Sequence, residues 1–108
     1  MAQDFRNAVA RSQGTAAANI LTGGNYDAVI GIRCTNITTA EILVDVYVVR
    51  SSANYYLCKQ AAITPGGSLE LIQGGSKIVL ASGDVLAHDC NTDNALDIWV
   101  SYIDTISA

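Results

Sequence analysis

Glu41 to Arg50 reads EILVDVYVVR, the longest apolar run in the chain, and it alternates with a period of two. Ile42, Val44, Val46 and Val48 share one face, while Glu41, Leu43, Asp45, Tyr47 and Val49 share the other. The second face is mixed rather than purely polar, which suits a central strand covered in part on both sides. Four valines and an isoleucine in ten residues restrict χ1 and favour a pleated surface, and no stripe of period 3.6 fits the segment better. The chain is therefore expected to be organised around this β-strand.

The remaining segments repeat that grammar. Thr15–Leu21 is expected as an edge strand before a Gly23-Gly24-Asn25 turn. In Asp27–Thr35, simple alternation puts Ala28, Ile30, Ile32 and Cys34 on one face and Val29, Gly31, Arg33 and Thr35 on the other. After a Ser51-Ser52-Ala53 turn, Asn54–Gln60 forms a further strand, and Pro65-Gly66-Gly67 reverses the chain. Ser68–Gln73, with Leu69 and Leu71 inward, Lys77–Leu80 and Val85–His88 follow, separated by turns at Gly74-Gly75-Ser76 and Ser82-Gly83-Asp84. The last strand, Ala95–Ile106, sets Leu96, Ile98, Val100 and Tyr102 against Asp97, Trp99, Ser101 and Ile103. Seven or eight strands with turns every eight to twelve residues predict an all-β fold, an antiparallel β-sandwich of jelly-roll or immunoglobulin-like type.

Residues 1–14 differ from the rest, being polar and ending in Ser12, Gln13 and Gly14. They read as an extended N-terminal arm attached to one β-sandwich domain over residues 15–108. Phe5, the only phenylalanine, lies on that arm together with Arg6 and Arg11. It plugs into a neighbouring subunit, or else folds back on its own core or is disordered.

Only 15% of the residues are charged, against about 25% in an average soluble domain. So sparse a charge predicts a surface that faces other protein, the alternative being a Ser/Thr/Asn-rich monomer surface. The net charge of −4, with Arg6, Arg11, Arg33, Arg50, Lys59 and Lys77 scattered, argues against direct nucleic-acid binding. There is no apolar run long enough to cross a bilayer and no signal-peptide core near the N-terminus, so a cytoplasmic site of synthesis is expected. Cys34, Cys58 and Cys90 make an odd set without a CxxC pair, which fits reduced, buried thiols.

Catalytic chemistry is not expected. His88, Asp89 and Cys90 are the one cluster of reactive types, but neighbours on a strand point to opposite faces, so no nucleophile, base and orienter line up. No ligand pair seeds a metal site, and the Gly-Gly pairs precede no helix that would help hold a phosphate cofactor. Asp84, Asp89 and Asp93 fall in one turn-rich region, where solvated loop carboxylates are a simpler reading than a weak cation site. Asn36-Ile37-Thr38 matches the glycosylation sequon without the secretion signal that would give it meaning. Trp99, Tyr47, Tyr55 and Tyr56 are the rings a sugar-binding surface would use, but aromatic residues are only 6% of the chain and more often serve a core or subunit interface.

The order of segments carries a resemblance. FRNA in the first residues, then IRCTN, VDVYVV, YYLCKQAAITPGGSLELI and KIVLASGDVLAHDCNTDNALDIWVSYID together resemble small virion proteins of tailed bacteriophages. The sharpest element is V-L-x-x-G-D-x-L, whose leucines here are Leu80 and Leu86. The resemblance implies a non-enzymatic structural protein, first of all a capsid decoration (cement) protein on the capsid exterior, binding the major capsid protein as a symmetric oligomer. A homotrimer is the favoured symmetry. Its alternative is a neck, tail or tail-fibre component, including a receptor- or carbohydrate-binding module. On this reading the arm (Phe5, Arg6, Arg11) and one uncharged sheet face (Tyr47, Val49, Trp99) make the protein contacts, with no cofactor, metal, membrane or nucleic acid.

Overall fold

The computed structural model describes residues 4–24, 26–73 and 76–104. The described residues form nine strands: β1 (Phe5–Gln13), β2 (Ala18–Thr22), β3 (Asp27–Asn36), β4 (Ile42–Arg50), β5 (Ala53–Ile63), β6 (Ser68–Glu70), β7 (Ile78–Leu80), β8 (Val85–Cys90) and β9 (Leu96–Ile103). They form two antiparallel sheets. The first has the order β1-β9-β3-β6, with β7 also pairing β3, and the second has the order β2-β8-β4-β5. Each early strand pairs a late one, β1 with β9 and β2 with β8, as if one long hairpin were wrapped into two layers. That is the jelly-roll order rather than the immunoglobulin one.

The expected face of β4 is the centre of the core. Ile42, Val44, Val46 and Val48 are buried, and they pack in one cluster with Val29, Ile32 and Cys34 of β3, Leu86 and Cys90 of β8, and Leu96, Ile98 and Val100 of β9. The alternation expected for β9 holds throughout, with Tyr102 against the core and Trp99 exposed. Residues 105–106 of the expected last strand, with Asn25 and the Gly74-Gly75 pair of two expected turns, lie outside the described residues.

Bulges account for the departures from simple alternation. Between Val29 and Gly31 the pairing of β3 with β9 shifts by one residue, so Ile30 is extra. The shift turns Val29 inward, where its side chain is fully buried, and leaves Ile32 and Cys34 inward as expected. A period-two reading cannot see a bulge. β5 likewise carries extra residues where its pairing with β4 moves from Val44↔Ala61 to Val46↔Cys58 to Tyr47↔Tyr56.

The arm is the main correction. Phe5–Gln13 is not an extension from the domain but β1, the edge strand of the first sheet, in register with β9 from Phe5↔Ile103 to Gln13↔Leu96. Ala8 and Ala10 pack against the core. Their small side chains give β1 too weak an apolar signature to read as a strand, although the backbone ladder needs no large side chain. Residues 1–3 lie outside the described residues.

Candidate functional site

The His88–Asp89–Cys90 run is split by the pleat. His88 is only 1% exposed, and neither ring nitrogen has a hydrogen-bond partner in the protein. Burial alone holds its imidazolium pKa below the ordinary histidine value. Asp89 points to the other face, where Tyr47 Oη lies 3.4 Å from its Oδ2. Cys90 Sγ turns to the Thr92 carbonyl at 3.0 Å, and burial raises its thiol pKa. Burial also pushes the Cys34 thiol up to about 12, which leaves it inert at neutral pH.

Most carboxylates hold backbone or arginine instead of facing a reaction centre. Asp84 accepts from Arg50 and from the Ala81 amide. Asp93 accepts from the Thr15 amide and hydroxyl, both at 2.9 Å. Asp45 takes the amide of Gln60, a residue at φ 52° in a β5 bulge, and Asp97 takes the amide of Ser12, at φ 55° in a β1 bulge. The two edge bulges are thus each pinned by a carboxylate from the neighbouring strand. Among the described residues, no group of three His, Cys, Asp or Glu side chains stands close enough to hold a metal ion.

The sequon asparagine is structural. Asn36 is fully buried, its Nδ2 donates to the Ala40 and Ile63 carbonyls at 2.8 and 2.9 Å, and its Oδ1 accepts from the Thr38 amide and hydroxyl. Nothing of this side chain is presented for modification.

The expected single sheet face around Tyr47, Val49 and Trp99 does not exist. Tyr47 and Val49 belong to β4 in the second sheet and Trp99 to β9 in the first, so they are turned away from each other across the sandwich. Tyr47 is itself covered, its ring 5.1 Å from that of Tyr56, over which Lys59 Nζ sits at 4.4 Å. Beside this stack Asp45 and Asp89 are directly opposite in the β4–β8 register, and burial together with Asp45 raises the Asp89 pKa.

The outer face of the first sheet carries what is left unexplained by packing. One cross-strand row runs Phe5–Ile103–Ala28–Val79 over four strands, wholly apolar. Phe5 is 77% and Val79 50% exposed. The row Asn7–Ser101–Gly31 follows, and then Val9–Trp99–Arg33–Glu70. Trp99 is 53% exposed at the centre of a groove of about 880 Å³. Arg11 lines that groove, whereas Arg6 is bound to Asp104 and Asp4. Of the six expected interface residues, then, Phe5, Arg11 and Trp99 are brought to one surface, and Tyr47, Val49 and Arg6 are not. Val79 and Ile103 were missed because their contribution depends on cross-strand register, which pairs residues distant in sequence.

No model of a known protein family matches this chain, and no curated protein matches it.

Proposed function

We propose that this chain is a non-enzymatic virion structural protein of a tailed phage, a capsid decoration protein that clamps shell subunits from the outside as a symmetric oligomer, with a trimer favoured. The observation that carries the reading is the apolar row Phe5–Ile103–Ala28–Val79 over β1, β9, β3 and β7, which leaves Phe5 and Val79 open to solvent at its two ends with Ala28 buried between them. Large exposed apolar side chains gathered on one sheet face suit a protein-docking surface. Its support includes the sparse charge, the resemblance of the segments to tailed-phage virion proteins, and a core that uses three free thiols and no disulfide, in keeping with assembly in a reducing host cytoplasm.

The carboxylates and the histidine favour a structural role over an enzymatic one, since most of the carboxylates are engaged in the fold and His88 is sealed in the core. The second reading, a tail or fibre module that recognises a receptor, draws on the groove around Trp99. Incubation of the purified chain with empty capsids of the phage, followed by sedimentation and immunogold labelling, tests the first. Retention on heads, lost in the F5S/V79S double variant, is the expected result; labelling confined to tails overturns it.

A further inference from the structure

We infer that the groove over Trp99 on the outer face of the first sheet is a binding site for a neutral saccharide. This deepens the second reading, that of a receptor-recognising module, and uses the Val9–Trp99–Arg33 row, two rows away from the apolar row on the same face. The groove joins one flat ring to four ionised side chains. Trp99 presents its indole between Val9 and Arg33, its cross-strand neighbours, and Arg11, Asp97 and Glu70 line the groove with the hydroxyls of Thr35 and Ser101. Two guanidinium groups and two carboxylates leave the groove with no net charge.

Both carboxylates are held in advance. Glu70 Oε2 accepts from the Ile32 amide at 2.8 Å and the Ile72 amide at 3.3 Å, and Asp97 Oδ1 accepts from the Ser12 amide at 2.9 Å. Groups fixed by backbone lose little freedom when a ligand arrives. Arg33 Nε already lies 3.8 Å from Glu70 Oε1; the acceptor capacity that remains, beside the Arg11 and Arg33 donors, suits paired hydroxyls, while the indole suits the C–H face of a pyranose ring. A phosphate or sulfate would meet two carboxylates. An apolar helix would have to strip water from four charges. The groove volume is in the range of small-ligand sites, roughly 300–1,000 Å³.

Gly31 is the independent sign. It lies in the interior of β3 beneath the groove, where glycine weakens a strand, and it is not among the residues with positive φ. A Cβ built there would meet only Glu70 Oε2 at 3.8 Å and Ser101 Cβ at 3.9 Å, ordinary contact distances. Gly31 flanks the Ile30 bulge, a place that glycine often marks, but its φ is not positive and a Cβ there would not clash. What the missing side chain leaves is space over the sheet beside Trp99.

Trp99 is the only tryptophan, so its emission reports on the site without labelling. Wild-type protein would be titrated with malto-, cello-, xylo-, manno- and chitohexaose to about 10 mM, a range that captures millimolar dissociation constants. The expected result is a saturable change in Trp99 emission with at least one of them, matched by saturation-transfer NMR. G31V should abolish that binding while keeping a β-sheet spectrum and an undiminished Tm. D97N should weaken it by about tenfold or more. No response to any of the five overturns the inference, as does binding that survives in a folded G31V protein. An emission shift that follows protein concentration instead of sugar would overturn it in favour of self-association over this groove.

Discussion

Arg50, at the end of β4, and Asp84, in the turn before β8, form a two-pronged ion pair, with Nε to Oδ1 at 2.8 Å and Nη2 to Oδ2 at 2.6 Å. Asp84 is 3% exposed, and its Oδ2 also accepts from the Ala81 amide. The pair joins the central strand to the Gly83 turn, inside the sharpest stretch of the sequence resemblance.

Loss of the Asp84 carboxylate should therefore be costly. Arg50 holds its pKa below the ordinary carboxylate value, so the folded state favours the ionised form. The stability this contributes is complete above the unfolded carboxylate pKa, about 4, and disappears as pH falls through the lower folded value. D84A should cost about 2–3 kcal/mol at pH 7, or roughly 10 °C or more in Tm. Thermal melts of both proteins from neutral to acid pH check this, the gap narrowing in acid.

Asp89 has the opposite sign. Burial and Asp45 raise its pKa, so the folded chain binds the proton more tightly than the unfolded one, and stability falls as pH rises through that window. D89N keeps an acceptor for Tyr47 and removes a like-charge cross-strand pair. It should stabilise the protein by about 0.2–1 kcal/mol at pH 7. The advantage should vanish once acid protonates Asp89 in the parent.

His88 is neutral in the fold because nothing in the core compensates its charge. Its folded pKa lies below the unfolded value near 6.5, so stability is complete above that pH and declines as pH drops beneath it. Replacing both the polar ring and its desolvation cost with hydrocarbon is neutral or favourable. H88L should melt no lower than the parent at pH 7 and should lose the part of the pH slope that the parent shows below about 6.5; calorimetry from neutral into acid pH would show it.

Ser51 and Ser52 both lie at positive φ, 53° and 64°, in the two-residue turn that joins β4 to β5. That is a type I′ hairpin, whose preferred pair is Asn-Gly, and left-handed backbone costs other residues roughly 1–2 kcal/mol each. S51N/S52G should raise stability by about 1 kcal/mol, read from the denaturant midpoint at unchanged m-value.

Removing residues 2–14 should unfold or strongly destabilise the domain, as seen in its circular dichroism melt. β1 supplies the ladder partner of β9 along most of its length, and Ala8 and Ala10 cover part of the core.

The two-layer fold and the core were legible because Ile42, Val44, Val46 and Val48, and the alternating residues of β9, obey a local period that burial enforces. β1 was hidden because its inward residues are alanines. Val29 was misassigned because a bulge at Ile30 reverses the phase, a feature set by the partner strand. The surface was legible only in fragments. Phe5 stands out in the sequence as the only phenylalanine and Trp99 among the aromatic rings, but their grouping with Val79, Gly31 and Glu70 arises from register across strands far apart in the chain.

Sedimentation equilibrium of the purified chain and of F5S/V79S bears most directly on the claim that the outer face of the first sheet docks protein. The wild-type chain, 11.3 kDa, should sediment as a trimer of about 34 kDa, and the variant should sediment as a folded monomer. A wild-type monomer at high concentration, or a variant that assembles unchanged, would contradict it.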